Sequence, residues 1–206
     1  MRTLTRKLAM SVQALLMFDV ADPEVAEAGL SVYLGRGIIS RVNLEDGREH
    51  NDRFLPIANK HGAAVPFTTA DEEGMAKTAQ CKPSIARRIH DITVNEHGMK
   101  PEDLIFDALV FALVTGDPEF ANSAAATIER VRLMKAELHG VLTSLRIGKL
   151  GFGLGESARA ALNSVFLYRA VQAGLDMRTR AIYSGNFCLS FGSEVSCSRL
   201  ERLIAE

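Results

Sequence analysis

Short apolar runs alternate with longer amphipathic stretches along most of the chain. The apolar runs predict six strands, at residues 15–18, 38–43, 63–69, 104–107, 141–146 and 181–183. The amphipathic stretches predict five connecting helices, at residues 23–33, 49–61, 82–96, 119–137 and 156–173. Strands separated by helices of this length form right-handed β-α-β units, so we expect a parallel sheet.

The order of these elements indicates the α/β class and leaves two architectures open. Six strands and five helices fit either a doubly wound sheet or part of an eight-stranded β/α barrel. No linker or clear repeat interrupts residues 1–183, which we interpret as one domain. Residues 184–206 are rich in serine and small side chains and show no period, so the pattern does not predict the structure of this tail.

The balanced charge of the 206-residue chain argues against two classes of partner. With 24 basic and 25 acidic residues, it lacks the basic excess of proteins that bind nucleic acids or anionic membranes. No apolar run approaches the ~20 residues that span a bilayer. The leading MRTLTRKLAMSVQA imitates an export signal without a clear cleavage site, and three widely spaced cysteines suggest no disulfide framework. We therefore expect a cytoplasmic protein.

Two aspartates stand where a parallel sheet offers a ligand site. Asp19 and Asp107 each follow an apolar run directly, on what would be the same edge of the sheet. A carboxylate there can accept paired hydrogen bonds from the N–C–N edge of a pterin or guanine ring. The alternative is that each aspartate caps the following helix or turn. Both interpretations stay open for Asp19, whereas residues 108–110 provide no polar helix start for Asp107 to cap.

Other polar clusters are better explained without catalysis. Three consecutive acids at residues 71–73 suggest a metal site, but no histidine stands at ligand spacing, so a solvated helix start is favoured. The glycine-rich loop at residues 148–155 matches neither a Walker A nor a dinucleotide-binding pattern. No serine or cysteine lies in a recognisable nucleophile setting. Pattern alone therefore predicts a ligand-binding edge in a soluble α/β protein.

Several longer segments carry a family resemblance. The stretches DEEGMAKTA, NEHGMKPEDLIFDALVF, ATIERVRLMKAELHGV and LNSVFLYRAVQAGLDM resemble the pterin-binding domain of cobalamin-dependent methionine synthase. The loop VNLEDG and the opening FDVADPEVAEAGL fit the same family. The resemblance extends over about residues 16–182. It implies a TIM-type, dihydropteroate-synthase-like β/α barrel that binds methyltetrahydrofolate at the carboxyl ends of its strands.

The resemblance also implies that the folate and the cobalamin are bound by different domains or proteins. Methyltetrahydrofolate is the substrate, and the cobalamin that accepts its N5-methyl group is carried by another, corrinoid-binding domain or protein. The family's aspartates that hold the pterin ring correspond to Asp19 and Asp107, and an arginine after the glycine loop corresponds to Arg159. Ser40 and Lys149 stand at two further pterin-site positions. The protein forms no covalent intermediate in this chemistry, so no residue is predicted as a catalytic nucleophile.

The predicted site departs from the family at three loops. Ser40 and Arg41 replace an asparagine-serine pair after the second strand, and Lys149 follows Gly148 where the family has serine-asparagine. Ser184 replaces a sixth-strand asparagine. An asparagine amide both donates and accepts hydrogen bonds, whereas an ammonium group only donates. A positive charge at Lys149 near N5 would oppose protonation there.

The chain resembles only part of the family barrel, beginning near its third strand. An incomplete barrel of about six parallel strands leaves two strand edges exposed. The leading segment could cover one edge in part. We therefore expect marginal stability, self-association through the open edges, or an open-sheet rearrangement.

Three functions remain open from the sequence. The first is a folate-binding domain that presents 5-methyltetrahydrofolate for methyl transfer to cob(I)alamin. The second is a non-catalytic remnant or binding module that keeps the fold without efficient turnover. The third, a dihydropteroate-synthase-like enzyme, is favoured less because the amino-acid sequences of the matched segments resemble methionine synthase. The sequence alone does not decide whether the chain is an active enzyme.

Overall fold

The computed structural model describes residues 1–12, 15–40, 48–71, 74–75, 81–113 and 122–178. The chain divides into two compact units, which are described separately. The N-terminal unit comprises Met1–Asp107 with Leu138–Leu142. The C-terminal unit comprises Ala108–Glu137 with Thr143–Glu206.

The N-terminal unit alternates strands and helices. Its strands are β1 (Met17–Asp19), β2 (Ile38–Ser40), β3 (Val65–Thr68), β4 (Ala70–Asp71), β5 (Gly74–Met75) and β6 (Leu104–Asp107). Its α-helices are α1 (Arg2–Ser11), α2 (Pro23–Leu30), α3 (Glu49–His61) and α4 (Cys81–Asp91). A π-helical turn (Ile92–Glu96) continues α4, and a 3₁₀ turn (Pro101–Asp103) precedes β6.

Four strands of this unit run parallel. β1 pairs with β2 and β3 pairs with β6, while Ile38 forms a single parallel bridge to Ala64 just before β3. Because all four strands point the same way, their carboxyl ends share one edge. β4 and β5 form a short antiparallel hairpin directly after β3.

Pro66 explains why β2 and β3 share so few hydrogen bonds. Ile39 N–H donates to the Ala64 carbonyl and Ala64 N–H donates to the Gly37 carbonyl. Alternate residues of a parallel strand turn their backbone groups to the same neighbour, so Pro66 would be the next donor to β2. Proline has no N–H, and the ladder to β2 stops before it.

The core of the N-terminal unit is formed by its strands and the helices beside them. Leu104, Phe106, Phe67 and Ile39 are almost completely buried. The rings of Phe67 and Phe106 stack with their centroids 5.8 Å apart, which joins β3 to β6 through side chains as well as backbone. The strand β6 is buried along its whole length.

Helix boundaries follow the sequence signals closely in this unit. Helix α3 matches its predicted range, and Gly62 ends it with a φ of 61°. Such a left-handed cap suits glycine, which has no Cβ to clash. The predicted helix at 82–96 is instead α-helical only to Asp91. Thr93 Oγ1 donates to the Ile89 carbonyl over 2.6 Å, and this local bond accompanies the widening into a π turn.

The C-terminal unit contains most of the remaining described elements. They are α5 (Ser123–Glu137), β7 (Leu142–Leu145), a 3₁₀ turn (Ile147–Lys149), α6 (Glu156–Gln172) and β8 (Met177–Arg178). β8 pairs in parallel with β7, Ser144 opposite Met177. Strand β8 is not one of the six predicted strands. The predicted strand at 181–183 and the tail at 184–206 are outside the described residues.

The buried face of α5 differs from the predicted one. The sequence predicts a face through Ile128, Val131 and Met134 or Lys135, whereas the structure buries Thr127 and Arg130 beside Val131 and Met134. Ile128 is only partly buried. Two polar residues therefore face inward because the structure supplies hydrogen-bond acceptors for them.

A carboxylate clamps β8 to β7 in the C-terminal unit. Asp176 accepts hydrogen bonds from the Thr143 N–H at 2.8 Å, the Thr143 hydroxyl at 2.9 Å and Lys135 Nζ at 3.1 Å. The single hydroxyl proton of Thr143 has the Gly174 carbonyl, at 3.2 Å, as its alternative acceptor, and the hydroxyl oxygen accepts from the Asp176 N–H at 3.3 Å. One acidic side chain thus satisfies groups from β7 and α5 beside the turn that leads into β8.

Replacing Asp176 with alanine is expected to lower the free energy of unfolding by about 2–3 kcal/mol, because the buried Thr143 N–H loses a charged acceptor. Urea denaturation followed by circular dichroism measures this loss. The matched control is Glu129→Gln, which removes an exposed carboxylate paired with Arg132 on α5 and should cost less than about 1 kcal/mol. Equal losses in the two variants would contradict the clamp.

Candidate functional site

The carboxyl ends of the four parallel strands in the N-terminal unit bring polar residues to one edge. The β1–β2 register places Asp19 opposite Ser40, and the β3–β6 register places Thr68 opposite Asp107. Each strand reaches its polar residue after apolar positions that anchor it in the core, as Phe18, Ile39 and Phe106 do. The sequence prediction that Asp19 and Asp107 occupy the same sheet edge is therefore met in the structure.

Asp107 is a buried carboxylate at this edge. Its residue is 7% exposed, and the preceding residues of β6 are buried and apolar. Thr69, which follows β3 and is fully buried, donates its hydroxyl to the Asp107 carbonyl over 3.3 Å. In low-dielectric surroundings a carboxylate forms strong hydrogen bonds with a matching donor pair. Of the two predicted aspartates, Asp107 is thus the buried one.

The structure also decides the helix-capping alternative. Helix α2 is capped by Asp22, whose carboxylate accepts a hydrogen bond from Glu24 N–H at 2.9 Å. Asp19 therefore does not cap that helix, and its side chain lies exposed at the end of β1. After Asp107, residues 108–112 form no helix that a cap could serve. Asp19 is therefore excluded as the cap of α2, and no helix begins within residues 108–112 after Asp107.

Ser40 ends β2 and is 6% exposed, with Asp19 as its register partner. Its hydroxyl can donate and accept a hydrogen bond at the same edge. Arg41 and the rest of the polar loop at 41–47 are outside the described residues. The same holds for Ser184.

Lys149 and Arg159 belong to the C-terminal unit. Lys149 ends the 3₁₀ turn after β7 and is exposed, and Arg159 is exposed in the first turns of α6. The loop between them approaches α6 closely, since a Cβ at Gly151 would lie 2.7 Å from Arg159 Cγ and 3.3 Å from its Cα. Gly151 thus permits a contact that any side chain would obstruct. The pterin-binding roles of Lys149 and Arg159 stay predictions.

Sequence reasoning omitted Thr69 from the site. This threonine is fully buried and holds the backbone of Asp107 through its hydroxyl. The available signal was a polar residue directly after an apolar strand, the same signal that pointed to Asp107. This signal does not separate a site residue from a strand residue, because threonine is common in strands.

A cleft in the N-terminal unit lies along α4. It has a volume of about 530 Å³ and is lined by Arg48 and by polar residues of α4 and the π turn. Arg48 Nη2 lies 2.5 Å from Glu96 Oε2, and this hydrogen bond raises the pKa of Arg48. The cleft is therefore a surface ion-pair network, distinct from the strand-end edge.

The described ranges contain neither a candidate metal cluster nor a membrane-spanning helix. No cluster of three or more histidine, cysteine, aspartate or glutamate residues is placed to hold a metal ion there. No helix among those residues is long and apolar enough to cross a membrane. Two of the three acids at 71–73 lie outside these ranges.

Solved structures of low sequence identity show the fold. The dihydropteroate synthase of Xanthomonas albilineans with 4-aminobenzoic acid aligns with a TM-score of 0.58 at 16% identity, over 98% of this chain and 68% of that one. Yersinia pestis dihydropteroate synthase with a pterine-sulfa conjugate aligns with a TM-score of 0.55 at 15% identity, over 86% of this chain and 66% of that one. These alignments confirm the predicted α/β fold of the TIM-type, dihydropteroate-synthase-like class.

Sequence relatives identify the family more closely. Methionine synthase of Mycobacterium tuberculosis is 41% identical over 180 residues, and that of Mycobacterium leprae is 38% identical over 180 residues. Each alignment covers 85% of this chain but 15% of the relative, so the chain spans about one seventh of their length. The predicted resemblance to the pterin-binding domain of methionine synthase is confirmed. With the family model described as pterin binding enzyme matching residues 2–179, the chain belongs to the pterin-binding enzyme family.

Proposed function

We propose that this chain binds 5-methyltetrahydrofolate at the carboxyl ends of its parallel strands and presents the N5-methyl group to cob(I)alamin. The cobalamin is supplied by a corrinoid-binding domain or protein. The observation that carries the proposal is the buried carboxylate of Asp107 at the end of β6, in a chain 41% identical to a methionine synthase. Membership of the pterin-binding family supports the ligand class.

The chemistry of Asp107 suits the pyrimidinone edge of a pterin. That edge offers two parallel N–H donors, and one carboxylate can accept both. Burial strengthens such charge-assisted bonds, because little water competes for the oxygens. Ser40, buried at the end of β2, adds a hydroxyl to the same edge. Asp19, exposed at the end of β1, is the second aspartate that the family resemblance assigns to the pterin ring.

The transfer itself requires positioning more than covalent catalysis. Protonated N5 releases its methyl group to the nucleophilic cobalt(I) of the partner's corrinoid, and N5 keeps the electron pair of the broken C–N bond. The protein holds the ring so that the methyl group faces the partner. Lys149 and Arg159 are proposed to lie beside the bound pterin, as the family resemblance implies.

Replacing Lys149 with asparagine is expected to raise the rate of methyl transfer about two- to fivefold, because a screened unit charge a few Å away disfavours protonation of N5 by that amount. The assay follows the loss of cob(I)alamin absorbance with methyltetrahydrofolate as donor. The matched control is Lys100→Asn, an exposed lysine before the 3₁₀ turn of the N-terminal unit, which should leave the rate unchanged. A rate unaffected by Lys149→Asn would remove Lys149 from the site.

Two measurements on the 206-residue chain test the proposal. Isothermal calorimetry measures methyltetrahydrofolate binding directly, which matters because the chain contains no tryptophan to report by fluorescence. Methyl transfer to free cob(I)alamin then tests activity. Binding together with transfer supports the proposal, whereas a folded sample that fails to bind at millimolar ligand refutes it.

A second candidate function is a binding module without efficient turnover. Lys149 in place of the family's asparagine favours it, because an ammonium group cannot accept a hydrogen bond and opposes N5 protonation. Binding of methyltetrahydrofolate without measurable methyl transfer would identify this second function.

A further inference from the structure

Arg130 is a buried cation whose partners are backbone and hydroxyl groups. It lies on the inner face of α5 and is 2% exposed. Within the described ranges, its Nη2 donates to the Leu109 carbonyl at 3.1 Å and to Thr127 Oγ1, while its Nε has no hydrogen-bond partner. Burial lowers the pKa of Arg130 to about 10. The arginine thus remains charged at neutral pH in a place where charge is unfavourable.

The backbone that Arg130 holds is itself unusual. Leu109 has a φ of 52°. Among the described residues, it is the only non-glycine residue with a left-handed backbone conformation. A leucine adopts that conformation only where its surroundings enforce it. Two donors converge on its carbonyl, Arg130 Nη2 and the Thr127 hydroxyl, the latter at 3.3 Å. Together they provide the restraint that the conformation requires.

Leu109 follows Asp107 by two residues, so its geometry affects how the chain leaves the ligand carboxylate. The intervening Ala108 donates its N–H to the Ser144 carbonyl at 3.3 Å. On the other side, Thr69 holds the Asp107 carbonyl. Hydrogen bonds therefore restrain the backbone at residues 107, 108 and 109 in succession. A restrained backbone limits the directions that the Asp107 side chain can take.

We propose that Arg130, through Thr127 and the left-handed Leu109, is a positioning residue that sets the direction of the Asp107 carboxylate for the pterin. This inference rests on the proposed function of Asp107. Arg130 does not touch the ligand in this account, because its hydrogen bonds end on Leu109 and Thr127.

A contribution to folding stability alone does not explain why an arginine is buried at position 130. Well-packed apolar residues of similar volume often replace buried ion pairs without loss of stability. A buried guanidinium that bonds a strained carbonyl instead specifies one backbone arrangement among several. A positioning role is therefore distinguished from a stabilising role by measuring ligand affinity in variants of known stability.

Three variants of the 206-residue chain test the proposal by calorimetric titration with methyltetrahydrofolate. Arg130→Met removes the charge and the donors, and Thr127→Val removes the second donor to Leu109 with little change of shape. Each should weaken binding by about 3- to 10-fold, the effect of losing one or two hydrogen bonds. Arg130→Lys keeps one donor and should recover part of the affinity. The stability control is Val131→Ala, which deletes buried methyl groups on the same helix.

Unfolding in urea is measured for every variant, so that affinities are compared at known stability. Weaker binding by Arg130→Met and Thr127→Val, with unchanged binding by Val131→Ala, supports the positioning role. Parent-like affinity in Thr127→Val and in folded Arg130→Met overturns it, as does equal weakening by Val131→Ala. If the unmutated chain does not bind methyltetrahydrofolate, the proposed function is wrong and this inference is overturned with it. That failure is distinct from a failure of the positioning role, which appears only when the variants are compared with an unmutated chain that binds.

Discussion

Replacing Asp107 with alanine is expected to weaken methyltetrahydrofolate binding by about 100-fold or more, because two hydrogen bonds to a charged acceptor contribute about 3 kcal/mol or more together. The carboxylate is buried at the end of β6, so no solvent-exposed group can replace it. Isothermal calorimetry against the unmutated chain measures the change. Asp107→Asn should bind weakly as well, because its amide presents a donor where the pterin edge also donates.

The same strand provides a matched control. Asp103 stands immediately before β6 and Asp107 ends it, so the two aspartates lie about 13 Å apart along an extended strand. Asp103 pairs with Arg36 at the surface, far from the carboxyl ends of the strands. Asp103→Asn should therefore retain the parent affinity. If both substitutions weaken binding equally, the loss reports damage to β6 and Asp107 is not a ligand anchor.

Replacing Phe106 with alanine is expected to lower the free energy of unfolding by about 3–5 kcal/mol, the cost of deleting a large buried aromatic side chain. Phe106 is fully buried and its ring stacks on Phe67 across the β3–β6 pair. The loss therefore includes the transfer free energy of the ring, the cavity left behind and one aromatic contact. Urea denaturation followed by circular dichroism gives the value.

Two comparisons make the stability result specific. Phe106→Leu retains most of the apolar volume and should cost clearly less than the alanine variant. Phe152 is 65% exposed, so Phe152→Ala should change stability by no more than about 0.5 kcal/mol. A small loss in Phe106→Ala would mean that the Phe106 ring does not contribute to the core of its unit, contrary to its complete burial.

Local sequence signals predicted the elements whose ends are chemically marked. Helix α3 agrees with its predicted range because an amphipathic face precedes Gly62, the residue that best tolerates the left-handed cap. Strand β6 agrees because four buried positions follow a proline-marked turn. In both cases the decisive interactions lie within a few residues of one another, so the sequence contains them.

Elements that depend on distant partners were predicted less well. β8 exists where Ser144 and Leu145 of β7 offer backbone groups to Met177 and Arg178, and its apolar signal is weak. The burial of Arg130 depends on the Leu109 carbonyl, 21 residues earlier in the chain. Neither relationship has a periodic pattern, so β8 was not predicted and the predicted buried face of α5 differs from the observed one.

The candidate site was likewise predicted only in part from local sequence signals. The pattern of an apolar strand followed by an aspartate identified Asp19 and Asp107 as strand-end residues, since that property is local. The choice between ligand binding and helix capping required the structure, which placed Asp22 at the start of α2. The structure also separated the aspartates by burial, with Asp107 inside and Asp19 exposed.

By itself the sequence determined the α/β class, the order of most strands and helices, the two strand-end aspartates and the resemblance to a pterin-binding domain. These follow from side-chain periodicity, caps and motif words, which are properties of neighbouring residues. Only the tertiary structure decided which aspartate is buried, which neighbours restrain it and which polar residues of α5 face inward. Burial and hydrogen-bond partners are set by chain segments far apart in sequence, and they exist only once those segments have packed together.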